Sequence, residues 1–377
     1  MAESYKVLFI SAPVGAGHIK AAQSIAEAMR RQHSQVEIKQ ANVFDFFNQF
    51  AGKSILNGYL KILELFPKVY GMAYALGNES FLALLGRQLI NSYLAQKMEQ
   101  YILEYSPDSI VCTHATPAGM VSSLVKKKKL SVPVIGVITD FVVHRLWIYP
   151  EISHYIVANE EMKDFLQVNG TNPKRIKMLG IPVEEKFLQK ICTSNVLHDL
   201  QFSKERKTIL IMGGGAGLLP MDEIIRSCEK SSMLLQIIIV TGKNKNMYKK
   251  LMALQPALHN KVRVLGYVDC IQELMAVSDL IISKPGGVTS AESLCLGVPM
   301  LIYRPIPGQE EANTDYLVKN GAAVRANSLS EMQQLIERLL VKEPEMLIRM
   351  RQCTLKIEKK CAAANISNFI YSQMERK

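Results

Sequence analysis

Short runs of branched apolar residues, each closed by glycine or a polar residue, recur through this 377-residue chain. YKVLFIS (5–11), DSIVCTH (108–114), VPVIGVI (132–138) and HYIVAN (154–159) form one set. TILIMGG (208–214), LLQIIIVTG (234–242), NKVRVLGYV (260–268), DLIIS (279–283) and VPMLIY (298–303) form a second. Most are continuously apolar, as strands buried on both faces must be. Helix-length segments separate them, and a crossover of that length joins parallel strands. The expected fold class is therefore α/β, two doubly wound Rossmann-like domains. The polar, unpatterned stretch 180–207 separates the two sets. Expected domains are 1–185, a linker at 186–206, and 207–360, with 361–377 a C-terminal helix packing back on the first domain. One stretch breaks the alternation. Residues 54–66 and 81–98 carry apolar and aromatic residues at helical spacing.

Composition narrows the class further. The content is 48% hydrophobic and 21% charged, as in ordinary globular chains. No apolar run approaches the roughly 20 residues a membrane helix needs. The N-terminal stretch lacks the basic and long apolar regions of a signal peptide, so the expected location is cytoplasmic. Seven cysteines with no C-x-x-C pair support neither a zinc site nor a disulfide framework. The formal net charge of +11 favours an anionic partner. No basic-aromatic motif supports nucleic acid as that partner. The run KKKK (126–129) reads either as a solvated helix end complementing the dipole or as a contact for lipid headgroups.

The sharper signals lie at strand ends. In SKPGGVTSAESLCLGVPM (283–300), Pro285, Gly286 and Gly287 make a tight turn into a helix expected near Thr289. A helix start with glycines before it seats a diphosphate on exposed N–H groups. Glu292 follows in the same first turn, placed to accept from ribose hydroxyls. Thr289-Ser290-Ala291-Glu292 also fits a capping box. PGQEEAN (307–313) opens another helix, where Gln309 and Glu310 have the paired donors and acceptors a sugar requires. Gly214 and Gly215 lie in a glycine loop after the first strand of this half. Gly242, Lys243 and Asn244 end the next strand, and Tyr267 and Val268 follow a third. All fall at the carboxyl edge of one sheet, where open parallel sheets bind ligands.

In the first half, SAPVGAGHIKAA (11–22) looks like a dinucleotide loop but lacks its third glycine, for Lys20 stands there. Strand 35–42 also ends in Asn42 rather than an acidic residue. Asp140 ends VPVIGVITD (132–140), with His144 four residues on, and His114 ends DSIVCTH, with Thr116 two residues on. Each also reads as an ordinary strand-end residue.

Taken in order, GAGH, GGGAG, TGKN, SKPGGVTSAESLCLGVPM and PGQEEAN resemble the UDP-sugar:diacylglycerol glycosyltransferases, a family that includes monogalactosyldiacylglycerol synthases and processive diacylglycerol glucosyltransferases. The resemblance covers most of the chain. It implies the GT-B fold, two Rossmann-like domains facing across a cleft, and an inverting transfer of a hexose from a UDP-sugar to diacylglycerol. Glucose is the first expectation and galactose the second. It lifts Glu292 to a ribose contact, Gln309 and Glu310 to sugar contacts, and Gly286 and Gly287 to the diphosphate turn. It makes His18 the general base and Gly15 and Gly17 the wall of the acceptor site. A neutral imidazole near pKa 6.5 can take the acceptor proton as the new bond forms, and the helix start at His18 is expected to keep it neutral. Asp140 would orient His18 or assist the hydroxyl, and His144 would contact the acceptor. Where many relatives carry an all-glycine run, this chain has Ala16, which is expected to ask more of the backbone there.

No metal or other cofactor is expected, since helix N-termini and amides can stabilise the leaving UDP and no Asp-x-Asp pair is present. The expected partners are a UDP-sugar, diacylglycerol and an anionic membrane surface, placing the chain peripherally on the inner face of the cell membrane. Part of 46–93, including Phe66, is expected to form the apolar groove for the lipid. Another UDP-sugar enzyme of the same fold, an epimerase among them, or a non-catalytic UDP-sugar-binding regulator remain the competing readings.

Overall fold

The computed structural model describes residues 4–12, 15–46, 95–214, 217 and 219–375. Of the stretch expected to hold the lipid groove, residues 47–93, Phe66 among them, lie outside the described residues, as does Gly215. The described chain divides into two compact units. One comprises Met1–Glu185, Ile306–Gln309 and Lys359–Lys377, and the other Lys186–Pro305 and Glu310–Glu358.

In the first unit, strands β1 (Tyr5–Ser11), β2 (Val36–Asn42), β3 (Ser109–Cys112), β4 (Val134–Val137), β5 (His154–Val157) and β6 (Ile176–Met178) form a parallel sheet in the order β2-β1-β3-β4-β5-β6. Helix α1 (Ala16–Gln32) follows β1, and α2 (Ala115–Lys126) follows β3. α1 buries Ala21, Ala22, Ile25, Ala26 and Met29, a stripe at helical spacing whose small residues bring the helix close to its neighbours.

The second unit has β7 (Thr208–Met212), β8 (Gln236–Val240), β9 (Lys261–Leu265), β10 (Leu280–Ser283), β11 (Met300–Tyr303) and β12 (Ala323–Ala326), ordered β12-β11-β10-β7-β8-β9 and again parallel. Read from β7, this is the 3-2-1-4-5-6 order of dinucleotide-binding sheets. Its helices include α3 (Met221–Cys228), α4 (Lys245–Leu254), α5 (Gly287–Cys295) and α6 (Gln309–Lys319). β7, β8, β10 and β11 are buried at every position, which explains why they are apolar except at the end residues Thr208, Gln236 and Ser283.

The last helix, α7 (Ala362–Met374), returns to the first unit. Its Ile366, Ile370 and Met374 join Val7, Phe9, Ile25, Met29, Val111 and Ile135 in one core. The stretch 186–206 is less open than its polar sequence suggests. It contains a helix, Thr193–Asp199, and two buried anchors, Phe187 and Phe202. Arg263 of β9 holds it further through the Leu200 carbonyl at 3.0 Å and Gln201 Oε1 at 2.6 Å. Two anchors fifteen positions apart leave no periodic trace in sequence. In the KKKK run, Lys126 lies in the last turn of α2 and Lys129 pairs with Glu99 at 2.6 Å, the arrangement of a helix end.

Candidate active site

Both sheets reverse their winding direction once, and a crevice opens at the carboxyl ends of the strands on either side of such a point. In the first sheet that point lies between β1 and β3. The first turn of α1, which follows β1, carries His18, and the residues after β3 are Thr113 and His114.

Gly15 caps α1 with φ of 82°, and no side chain caps the helix. Ala16 is already the first helical residue, so the backbone demand expected at Ala16 falls on Gly15 instead. A Cβ at Gly15 would meet open space. His18 is the third helical residue and half-buried. Its Nδ1 lies 3.0 Å from the Thr113 carbonyl and 2.7 Å from Thr139 Oγ1. A carbonyl only accepts, so Nδ1 carries the proton and the neutral ring keeps its lone pair on Nε2. Burial holds the ring below its ordinary 6.5, while the charge of Asp140 and the Thr113 carbonyl pull it back up. Burial is thus the leading cause of the neutral form.

Asp140 sits two residues beyond Ile138, close enough for its charge to act on His18. Asn159 fixes the chain just after it, donating from Nδ2 to the Phe141 carbonyl at 2.9 Å. His144, the expected acceptor contact, has a local structural task as well. It is buried, and its Nδ1 accepts from the Leu146 N–H at 3.1 Å, capping a short turn at Arg145–Trp147. Thr113 and Thr139, which carry the orientation of His18, have no signature of their own. They are polar residues at the ends of buried strands, and only the sheet order brings them together.

In the second sheet the winding reverses between β7 and β10. After β10 the chain turns at Pro285, and Gly286 is the N-cap of α5, with no side-chain cap. The Ser290 N–H already donates to the Gly286 carbonyl at 2.8 Å. The amides of Gly287, Val288 and Thr289 therefore form the anion-facing end of the helix. A Cβ at Gly286 would meet open space, so a ligand can approach the backbone there. The helix begins two residues earlier than expected, which removes the capping box. Thr289 is inside the helix, and Glu292 is a buried residue of the second turn rather than the first.

Asn313 of α6 secures this turn. Its Nδ2 donates to the Pro285 carbonyl at 3.0 Å, and the residue is fully buried. Gln309 and Glu310 open α6. Lys284, just ahead of the turn, is half-buried. Burial lowers its ammonium below the usual lysine range, with Glu310 opposing and Arg304 adding to the effect. Lys284, Glu310 and Arg304 therefore share one electrostatic neighbourhood at the ends of β10 and β11. Lys284 was not singled out by sequence, because a lysine after a strand is commonplace.

The glycine loop after β7 splits into two kinds of residue. Gly214 has φ of 68° and open space where a Cβ would stand. Gly217 has φ of 62°, and a Cβ there would lie 2.5 Å from the Thr241 carbonyl oxygen. Asn244 caps α4 through the Met247 N–H at 2.9 Å and donates to the Gly217 carbonyl at 3.1 Å. Its side chain thus clamps the loops after β7 and β8. Gly242 takes φ of 59°, Lys243 and Tyr267 are exposed, and Val268 is half-buried. Among the described residues no group of three His, Cys, Asp or Glu side chains is placed to hold a metal ion, and no helix is long and apolar enough to cross a membrane.

Comparison with known proteins finds two family matches along the chain. Residues 18–183 match the monogalactosyldiacylglycerol synthase family, and residues 208–366 match the glycosyltransferase family 28 C-terminal domain. The chain is 31% identical to the processive diacylglycerol beta-glucosyltransferase of Bacillus cereus (strain G9842), covering 92% of this chain and 88% of the relative. It is 29% identical to the protein of that name from Bacillus subtilis (strain 168), covering 92% and 90%. Among solved structures, MurG of Acinetobacter baumannii has a TM-score of 0.65 at 14% identity, covering 98% of this chain and 99% of that one. The UDP-GlcNAc 2-epimerase of Neisseria meningitidis, bound to UDP-GlcNAc, has a TM-score of 0.61 at 15% identity, covering 99% and 100%. At such identities the structural likeness speaks for the fold, which is GT-B. The full-length relatives, with the same motifs in the same order, place this chain in the family of diacylglycerol glycosyltransferases.

Proposed function

We propose that this chain transfers a glucosyl group from UDP-glucose to diacylglycerol with inversion at the anomeric carbon. The observation that carries the chemistry is the His18 ring, whose Nδ1–H is held by the Thr113 carbonyl so that Nε2 is left as a base. The acceptor hydroxyl gives its proton to Nε2 as its oxygen bonds to C1. The C1–O bond to UDP breaks, and the electron pair leaves with the diphosphate. The amides of α5 and the nearby Lys284 ammonium stabilise that anion. Asp140 stabilises the imidazolium that forms. Such general-base help contributes typically 10²–10⁴-fold.

The relatives' names support the acceptor and the sugar. A beta-glucoside made from UDP-glucose, an alpha-linked donor, requires inversion. Gln309 and Glu310 are assigned to the hexose hydroxyls, Glu292 to the ribose, and Tyr267 and Val268 to the base. Backbone amides supply the leaving-group stabilisation in this scheme, so turnover should survive EDTA. The chain would work at the inner face of the membrane, drawn there by its net charge of +11.

The test is direct. Full-length protein is given diacylglycerol vesicles and UDP-glucose or UDP-galactose, and the lipid product is identified by mass spectrometry. Glucosyl-diacylglycerol formed in preference to the galactolipid is expected. His18→Ala should lose at least about 100-fold in kcat while still binding UDP. A fully active His18→Ala enzyme would remove the base assignment, and a galactolipid product would replace the sugar.

A further inference from the structure

The loop after β3 places a second histidine against the first. His114 ends the extended segment that leaves β3 and is the N-cap of α2, with φ −141° and ψ 148°. Its Nδ1 accepts from the Thr116 N–H at 3.1 Å. A backbone N–H only donates, so His114 keeps a lone pair on Nδ1 and its proton on Nε2. His18 has the opposite tautomer, because its Nδ1 faces a carbonyl. The two rings meet edge to face, with centroids 4.7 Å apart and planes at 83°. Two neighbouring imidazoles fixed by backbone in opposite tautomers are more than a cap requires. Asn or Ser would cap α2 as well.

We propose that His114 is a positioning residue for His18, its fixed neutral ring packing against the base to hold the ring plane and keep water from its flank. The proposal rests on the reading of His18 as the general base. Four neighbours set the state of His18: His114 from the corner between β3 and α2, Asp140 from the segment after β4, the Thr113 carbonyl and the Thr139 hydroxyl. Lys20, further along α1, pairs with Glu184 at 3.7 Å. Asp140 favours a proton on His18. Nothing comparable favours one on His114, and a charge on His18 disfavours it further. Protonating Nδ1 of His114 would also break the cap to Thr116. The pair therefore takes up a single proton, and it goes to His18. His114 shields the base without competing for its proton.

Two substitutions separate this role from simple capping. His114→Asn keeps a capping oxygen and removes the ring. His114→Phe keeps a ring edge and removes the cap. The imidazole of His18 is followed by NMR titration in the full-length protein, alongside the pH profile of kcat/KM and thermal unfolding. For His114→Asn, near-normal stability is expected, with the His18 midpoint and the acid limb moving up together by roughly half a unit or more as water reaches the ring. For His114→Phe, reduced stability is expected with the His18 midpoint little moved. An unmoved His18 midpoint in His114→Asn, or a larger move in His114→Phe, would overturn the proposal and leave His114 as a cap. The NMR readout does not depend on catalysis. If His18→Ala proves active, the base reading fails by itself, and the titrations still decide whether His114 shields His18.

Discussion

Removing Asn313 tests whether the anion-facing turn is held from behind by α6. The Nδ2–H to Pro285 carbonyl bond is 3.0 Å long, and the residue has no exposed surface. In Asn313→Ala the carbonyl is left where water does not reach, a loss of about 1–3 kcal/mol. For a unit of this size each kcal/mol is about 2–4 °C in Tm, so the second unit should melt about 2–12 °C lower. Asn313→Asp keeps the shape and replaces the donor with an acceptor facing a carbonyl. Only its protonated form can restore the bond, so the folded state raises its pKa above the ordinary 3.9. Stability gained by the protonated form is lost as pH rises through that raised value, and Asn313→Asp should therefore be weaker at pH 8 than at pH 5 relative to wild type. Only the diphosphate would sit on this turn, so Asn313→Ala should weaken binding of UDP more than of uridine in calorimetry. A variant melting within about 1 °C of wild type, with unchanged UDP affinity, would refute the reasoning.

Four further outcomes are expected. Thr139→Val removes the hydroxyl 2.7 Å from His18 Nδ1; at about 1 kcal/mol for such a bond, kcat should fall roughly fivefold, whereas Thr139→Ser should recover most of it. Gly217→Ala forces a positive φ and a clash with the Thr241 carbonyl, so urea unfolding should show a loss of more than about 2 kcal/mol. Burial keeps His18 and His114 neutral below pH 6.5, where the unfolded chain takes up protons. Stability is therefore present above pH 6.5 and lost as pH falls below it; a urea midpoint that rose between pH 7.5 and 5.5 would contradict this. Cys192 is exposed, and the Ser194 hydroxyl lowers its thiol, whereas burial pushes Cys228 up to about 12. Iodoacetamide should label Cys192 well before Cys228 or Cys112, as peptide mapping over time will show.

The fold was legible because parallel strands buried on both faces announce themselves. IIIV in β8 and LII in β10 are such runs, short and bounded by turn residues. Of the four edge strands, β2 and β9 were legible and β6 and β12 were not. β6 (IKM) and β12 (AVRA) are short and partly exposed, and half their residues answer to solvent. At the candidate site, the glycine turns stood out, since few other sequences make them. The helix start after Pro285 was misplaced by two residues because Thr289 and Glu292 carry a capping pattern that the tighter Gly286 turn bypasses. Thr113, Thr139 and Asn313 were invisible for a common reason. Each acts across a separation of 28 to 121 positions, and no local pattern records a partner so distant.

The glycines show how far sequence can go in separating a site from its scaffold. Gly214 and Gly217 lie in one loop, both with positive φ, and look interchangeable as letters. Only the neighbours distinguish them. Gly217 is glycine because the loop after β8 occupies the place of its Cβ, whereas Gly214, Gly286 and Gly15 have open space there. The first kind is explained by packing alone. In the second kind, Gly15 and Gly214 are explained by their positive φ of 82° and 68°, but Gly286 is not, for it has an ordinary φ of −60° and room for a side chain. A residue kept bare without strain or crowding leaves the backbone uncovered, and at the uncapped start of α5 an uncovered backbone is a set of N–H donors facing outward. At Gly286, then, the missing side chain is itself the argument for a ligand, and Gly286→Ala should weaken UDP binding while leaving Tm nearly unchanged, the reverse of Gly217→Ala.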